Sequence, residues 1–126
     1  DPSGTPINKK ISAENVFNNV PSYLGLAQTS QAITADASSQ VADVTSAITE
    51  INATSATGAI SLADGTDGQI KTFINVSTSG TNNVVITPTN LRGGTTITLN
   101  AEGETVTCLF KNAKWNVIAG NGYVVA

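Results

Sequence analysis

In the C-terminal half of the chain, short stretches of alternating apolar and polar residues are separated by residues that favour turns. Alternation predicts β-strands, because successive side chains of a strand point to opposite faces. One such stretch places Ile70, Thr72 and Ile74 on one face, and Lys71 and Phe73 on the other. The turn residues recur at the spacing of about 8–12 residues that is typical of an antiparallel β-sandwich or barrel. We therefore predict an all-β domain.

The large apolar side chains of these strands are expected to form the core of that domain. Asn112 and Ala113 separate two predicted strands, and a two-residue connection predicts a tight hairpin. Trp115 could stack on a sugar ring, but its strand alternates with Val117, which favours packing in the core. The candidate core residues are Ile70, Ile74, Ile86, Ile97, Leu99, Cys108, Phe110 and Trp115.

The middle of the chain, residues 27–51, has two interpretations. Val41, Val44, Ile48 and Ile51 are spaced by three, four and three positions, which is the pattern of a coiled-coil seam. Two features argue against a helix: the segment is rich in β-branched residues, and it has no Lys or Arg to form ion pairs along a helical face. We favour strands, and the coiled coil stays open as the alternative.

The N-terminal segment carries a short helical pattern. Ser12 can cap a helix and Pro21 ends it, so a helix is predicted over about 12–20. Isolated helices shorter than about 12–15 residues are marginal in water, so its apolar stripe needs a surface to bind. That surface is either the chain's own domain or a neighbouring subunit, and we expect the second. The candidate contact residues are Val16, Phe17 and Val20.

The chain thus divides into an N-terminal arm, residues 1–27, and a β domain, residues 28–126. Pro2, Gly4 and Pro6 prevent regular structure at the start of the arm. An extended segment covers more foreign surface per residue than a compact face does. We therefore expect the arm to bind a neighbouring subunit.

Charge is sparse along the chain. Its 126 residues are enough for one domain with one core, yet only 12% of them are charged and the net charge is −3. Lys9 and Lys10 are the only adjacent cations, so binding to nucleic acid by neutralising phosphates is not expected. No apolar stretch approaches the roughly 18 residues that cross a membrane, so no membrane partner is expected.

The sequence offers little chemistry for catalysis. It contains no His and a single Cys, which excludes His-based proton transfer and zinc sites built from His or from several Cys. Cys108 lies in an apolar strand and is expected to be buried and inert. Glu102 and Glu104 flank a glycine and are expected to be solvated in a turn. We predict a protein that is not an enzyme and that uses no cofactor.

The loop DGTDG, residues 64–68, has two interpretations. Asp64 and Asp67 could contribute oxygen ligands to a calcium ion, but the later Glu of an EF-hand is missing. Asp-Gly pairs are also preferred in plain turns. We favour the turn, and calcium stays open.

A series of turn and strand motifs runs through residues 58–126. The motifs are GAISL (58–62), DGTDGQIK (64–71), ITPTN (86–90), GGTTITL (93–99), GETVT (103–107), WNVI (115–118) and GNG (120–122). This series resembles a repeating β unit of structural proteins of tailed bacteriophages, especially those of marine and cyanobacterial hosts. It covers a little over half of the chain, and its positions are turns and strand cores, which support architecture better than function.

The resemblance implies a virion protein, either a head decoration (cement) protein or a segment of a tail fibre or spike. Both kinds are usually trimeric. We expect a decoration protein that stabilises or covers the phage head, with further copies of itself and the major capsid protein as partners. The alternative is a trimeric fibre or knob module that binds host surface glycan.

Overall fold

The computed structural model describes residues 27–126, and all regular secondary structure in that part of the chain is β-strand. The predicted all-β class is therefore confirmed. The arm, the helix predicted over 12–20 and the contact residues Val16, Phe17 and Val20 lie outside the described residues, apart from Ala27. The strands are β1 (Ser30–Ala35), β2 (Gln40–Ala42), β3 (Ile48–Ala53), β4 (Thr57–Leu62), β5 (Ile70–Asn75), β6 (Asn83–Pro88), β7 (Ile97–Leu99), β8 (Thr105–Lys111), β9 (Lys114–Asn121) and β10 (Val124–Val125).

The strands form two five-stranded sheets that pack face to face as a β-sandwich. Sheet A has the order β1-β3-β5-β8-β9, and sheet B has the order β10-β7-β6-β4-β2. From β1 to β6 the chain alternates between the sheets, so each strand pairs in parallel with the strand two places later. The first half of the domain therefore follows a solenoid-like path, in which the chain crosses back and forth between the sheets and each new strand pairs beside the previous strand of its sheet. We call this part of the fold the coil.

Both sheets are mixed, whereas the sequence pattern predicted antiparallel pairing. The pairs β5–β8, β8–β9, β6–β7 and β7–β10 are antiparallel, and the pairs within the coil are parallel. A turn signal shows that the chain changes direction, and it does not show whether the next strand joins the same sheet or the opposite one. Here the connections of the first half cross to the opposite sheet, which makes partners within each sheet parallel.

The segment with the heptad spacing forms strands β1, β2 and β3, so the preferred interpretation of residues 27–51 is confirmed. Its apolar residues do not share a face: Ile51 is fully buried, and Val41 is 66% exposed. The three-four spacing therefore has no structural role here.

The core lies between the sheets and consists of alternate residues of the strands. Six of the candidate core residues are buried, with exposed fractions between 0% and 6%. They are Ile86, Ile97, Leu99, Cys108, Phe110 and Trp115.

The prediction for the other two candidates is wrong. Ile70 is 53% exposed, and Ile74 is half-buried on the outer side of β5. Lys71, Phe73 and Asn75 point inward instead and are fully buried. A strict alternation defines two faces but does not say which one is inside. The inward face was mistaken because it carries two polar residues, and both of them find hydrogen-bond partners inside the fold.

The two ends of the core differ in the size of their side chains. At the end where β1 and β3 finish, Gly58 of β4 faces Ala35 and Ala53, and a Cβ at Gly58 would lie 2.8 Å from the Ala53 Cβ. At the opposite end the rings of Phe110 and Trp115 meet edge to face, with centroids 5.1 Å apart. The sheets therefore approach closely at the small-residue end and are held apart at the aromatic end.

The hairpin between β8 and β9 is confirmed. Asn112 and Ala113 have φ angles of 52° and 58°, which is the left-handed conformation that a two-residue type I′ turn requires. Asn readily adopts this conformation, whereas for Ala it costs roughly 1–2 kcal/mol. Asp67 supports the turn by accepting hydrogen bonds from the Lys111 ammonium and from the Asn112 amide.

Candidate interaction surface

The outer face of sheet A carries large apolar side chains that the fold leaves uncovered by residues 27–126. Because the inward positions of β1, β3, β5 and β8 are fixed by the core, the alternate residues point outward. Ile48, Ile74 and Leu109 are half-buried there, and Ile70 is 53% exposed. We call this surface the A-face, and it consists of Ser30, Ala32, Thr34, Ile48, Glu50, Asn52, Ile70, Thr72, Ile74, Thr105, Thr107 and Leu109.

The register brings three apolar residues of the A-face together, whereas the fourth, Ile74, is paired with Glu50 and Thr105. Ile70 is paired with Leu109 on the neighbouring strand, and Ile48 is paired with Thr72. Between them the hydroxyls of Thr72 and Thr107 hydrogen bond at 3.0 Å, so each satisfies the other without water. The centre of the A-face is therefore apolar and has few polar groups that water must solvate.

A groove of about 460 Å³ opens on the A-face. It is an open depression beside Ile48 and Ile70, and no charged residue lines it. That volume is sufficient for one or two apolar side chains of a partner. The lining residues are Gln28, Ala47, Ile48, Gly68, Ile70 and Thr72.

The outer face of sheet B is also uncharged but more polar. Val41 and Val124 are 66% and 50% exposed, and they are separated by Ser, Thr and small residues. We call this surface the B-face, and it consists of Val41, Thr57, Ala59, Ser61, Asn83, Val85, Thr87, Thr98 and Val124.

The charged side chains of residues 27–126 lie mostly at the ends of the sandwich. Glu50 is the only charged residue among those of the A-face, Lys111 and Lys114 lie on the same side of sheet A at the β8–β9 turn, and the B-face has no charged residue. Lys111 and Asp67 form an ion pair at 2.7 Å beside the β8–β9 turn, with both side chains about half exposed. Depletion of charge from a surface that exposes Ile and Leu is typical of the central part of a protein–protein interface. Both broad faces are therefore suited to contact with protein.

The single thiol of the chain is enclosed. Cys108 is fully buried between the sheets, and burial raises the pKa of its thiol to about 12. A thiol with so high a pKa is almost entirely protonated near neutral pH, and the protonated form is a poor nucleophile. The prediction that Cys108 is buried is confirmed.

Lys71 is the buried cation that the sequence did not reveal. Its ammonium donates a hydrogen bond to the Ser46 carbonyl at 2.7 Å and lies 5.3 Å from the centre of the Phe73 ring. Burial lowers the pKa of Lys71, and the nearby Asp43 carboxylate opposes that effect. Asp43 itself accepts hydrogen bonds from the Ser46 amide and hydroxyl, which lower the pKa of Asp43. This network fastens the β2–β3 loop over the end of the core.

The two carboxylates considered for calcium do not point to one site. The Asp64 carboxylate accepts a hydrogen bond from the Asn90 amide at 2.7 Å, and Asp67 is held by the β8–β9 turn. Within residues 27–126, no group of three or more potential metal ligands is found. Glu104 accepts a hydrogen bond from the Asn100 amide, so it stabilises the turn before β8.

Trp115 is part of the core and not of a surface site. It is fully buried, and its indole N–H donates a hydrogen bond to the Ala63 carbonyl at 2.9 Å. Gly65 lies directly over its ring, where a Cβ would approach within 2.9 Å. The ring therefore presents no free face to a sugar.

The part of the chain described here also contains no helix long and apolar enough to cross a bilayer.

Sequence reasoning missed the A-face because it assigned Ile70 and Ile74 to the core. A signal was present, since both faces of β5 carry large apolar residues, Ile70 and Ile74 on one face and Phe73 on the other. Two apolar faces on one strand indicate that both faces are covered, one by the core and the other by a partner.

Comparison with protein-family models and with curated proteins gave no match to this chain.

Proposed function

We propose that this protein is a structural subunit of a bacteriophage particle, a head decoration protein that assembles into a homotrimer through its A-face. The observation that carries the proposal is the cluster of Ile48, Ile70 and Leu109 around a groove that no charged residue lines. An exposed patch of this kind on a small domain marks a surface that a partner covers. A second copy of the chain is the partner that needs no further assumption.

The A-face alone is a small contact. Its four strands, about 4.8 Å apart and each rising about 3.3 Å per residue over about six residues, give a face of roughly 400 Å². Two such faces bury about 800 Å², which is below the usual range of stable interfaces, so contacts outside the A-face must add to a stable oligomer. The trimeric state rests on the resemblance to phage structural proteins, which are usually trimeric.

The burial of two reactive side chains supports a structural role for the protein. The Cys108 thiol and the Lys71 ammonium are both enclosed by the sandwich, so neither is accessible to a substrate. The resemblance of residues 58–126 to units of phage structural proteins motivates the role in a virion, and it fits a head decoration protein or, as the alternative, a tail fibre or knob module.

The oligomeric state of the full chain is the first test. Sedimentation velocity at micromolar concentration is expected to show a trimer, and Ile70→Asp is expected to shift it to monomer. Burying the exposed half of Ile70 contributes roughly 1–1.5 kcal/mol per copy, and an enclosed carboxylate would add a desolvation cost. Val41→Asp is the matched control, because Val41 is 66% exposed on the B-face.

Both variants should melt within a few degrees of the wild-type monomeric domain, since both positions lie outside the core. A wild-type chain that stays monomeric would contradict the trimer, and dissociation by Val41→Asp instead of Ile70→Asp would place the contact on the B-face. The role on the head is tested by counting copies in purified particles on a stained gel. Hundreds of copies indicate decoration, and a few tens or fewer indicate a fibre.

A further inference from the structure

Strand β1 forms one edge of sheet A, and the outer side of its backbone has no partner within residues 27–126. The Ile48 amide donates a hydrogen bond to the Thr29 carbonyl at 3.0 Å, which shows which side of β1 faces β3. Backbone groups along a strand point alternately to its two sides. The amides and carbonyls of Ser30, Ala32 and Thr34 therefore point away from the sheet.

This edge also lacks the features that usually prevent an extra strand from adding. Proteins protect edges with Lys, Pro, bulges or very short strands. On the opposite edge of sheet A, β9 begins with Lys114 and is opposed by a bulge between Thr107 and Cys108. The edge strands of sheet B have only three and two residues. In contrast, β1 is six residues long, regular and uncharged.

The inward positions of β1 and β3 share one pattern, which β5 does not continue, because Ile51 is paired there with Asn75. Ile33-Thr34-Ala35-Asp36 of β1 is aligned with Ile51-Asn52-Ala53-Thr54 of β3 by the observed register. The same pattern, an Ile, a small polar residue, an Ala and a polar residue, occurs once more in Ile11-Ser12-Ala13-Glu14. In each case the Ile and the Ala are two positions apart, as residues on one face of a strand must be.

The spacing of this earlier copy fits the coil. Ile11 precedes Ile33 by 22 positions, and the observed registers separate neighbouring strands of sheet A by 18 positions (Ser30 to Ile48) and 24 positions (Ile48 to Thr72). The core also ends incompletely at β1, since Ile33 is 9% exposed and Ile51 is 0% exposed. An Ile on a strand added beside β1 would cover the exposed part of the Ile33 side chain.

We propose that residues 8–13 of the same chain add to β1 as a further parallel strand of sheet A. In this register Asn8 lies opposite Ser30, Ile11 extends the inward row of Ile33, and Ala13 extends the row of Ala35. The partner of the free edge is thus an N-terminal segment of this protein and not a second molecule. For residues 8–13 this proposal replaces the expectation that the arm binds a neighbouring subunit, and it places the start of the helix predicted over about 12–20 after Ala13. The proposal concerns the edge of sheet A and does not rest on the trimer, which uses its outer face.

Disulfide trapping in the full chain tests this register. Ser12 and Thr34 would be directly opposite on the outer face, about 4.8 Å apart between strands, which is within the Cα separation that a disulfide spans. We expect Ser12→Cys with Thr34→Cys to form an intramolecular disulfide under mild oxidation. In the control, Asn8→Cys with Thr34→Cys, the two cysteines would be about 13 Å apart along the strands and should stay reduced. Cys108 can be kept, because it is buried.

Each outcome decides the question. A disulfide within a single chain of the Ser12→Cys/Thr34→Cys variant supports the proposal, and mass spectrometry under denaturing conditions distinguishes it from a disulfide-linked dimer. Equal oxidation of both pairs indicates a mobile segment and overturns the register. A disulfide-linked dimer assigns the edge to a second copy and overturns the intramolecular strand.

Amide hydrogen exchange gives a second measurement, which is made first in the unmodified chain and then in two proline variants. If residues 8–13 pair with β1, the Ala32 and Thr34 amides donate hydrogen bonds to them, and exchange is slowed by on the order of 100-fold or more relative to an open strand edge. Ile11→Pro removes an amide that would face β1 and should abolish this protection. Lys10→Pro removes an amide that faces away and should preserve it. Unprotected Ala32 and Thr34 in the wild-type chain would overturn the proposal.

Discussion

The substitution Gly58→Ala tests how closely the two sheets approach at the small-residue end of the core. A Cβ at this position would lie 2.8 Å from the Ala53 Cβ and 3.0 Å from the Ala35 Cβ. Ala53 cannot easily move away, because its amide donates to the Ser77 hydroxyl at 2.8 Å and its carbonyl accepts from the Asn82 side chain at 2.6 Å. The sheets must therefore separate locally.

Two effects oppose each other in the free energy of unfolding. Overpacking a core by one methyl group costs about 1–3 kcal/mol. Replacing Gly by Ala restores about 0.4–1 kcal/mol by restricting the unfolded chain. We expect a net destabilisation of about 1–2 kcal/mol, which lowers the melting temperature of a domain of about 100 residues by roughly 4–16 °C.

Urea and thermal unfolding followed by circular dichroism measure this difference. Gly80→Ala is the matched control, since a Cβ there meets nothing within 4 Å, and it should be neutral or slightly stabilising. Combining Gly58→Ala with Ala53→Gly moves the methyl group to the opposite sheet, and the two changes should couple favourably by about 1–2 kcal/mol. If Gly58→Ala were as stable as Gly80→Ala, the close approach of the sheets would be refuted.

Two further predictions concern the β8–β9 turn and the buried cation. Ala113→Gly should raise the free energy of unfolding by up to about 1 kcal/mol in urea titrations, because Gly adopts the φ of 58° without strain; an unchanged or lower midpoint would contradict this. The folded-state pKa of Lys71 is below the ordinary 10.5, so the unfolded chain holds a proton that the folded chain releases, and stability should rise as pH increases from the folded-state pKa toward 10.5. Lys71→Met should flatten that rise in urea titrations at increasing pH, and a rise of the same size in the variant would assign it to another group.

The sequence was sufficient for the class of fold because strands and turns are local features. Alternation located β5 and β8, and the φ angles at Asn112 and Ala113 match the predicted hairpin. Which strands pair with one another is not determined by neighbouring residues, because parallel pairs such as β1–β3 depend on loops that cross between the sheets. The sequence pattern therefore gave the strands and left the mixed pairing to the structure.

The interaction surface was harder to predict than the fold. A Lys in a strand usually lies on the solvent side, and by that rule Ile70 would be in the core and Phe73 outside, which is the reverse of the structure. Burial of a lysine is unusual, and it depends here on a carbonyl and a carboxylate that come from a distant loop. Only their placement in three dimensions shows that Ile70 faces outward and belongs to an interface.

The alternation of strands between the sheets has a consequence for how the chain folds. Parallel partners in the coil are 18–26 positions apart, from Ser30 and Ile48 to Ile60 and Ile86. In contrast, β8 and β9 meet across a two-residue turn and can pair within microseconds. The β8–β9 hairpin therefore has the most local contacts among the described residues and is the natural nucleus, whereas β5 and β8 pair across 31–39 positions. During synthesis β1 to β5 emerge first and must wait for β8, which pairs with β5, before sheet A can close.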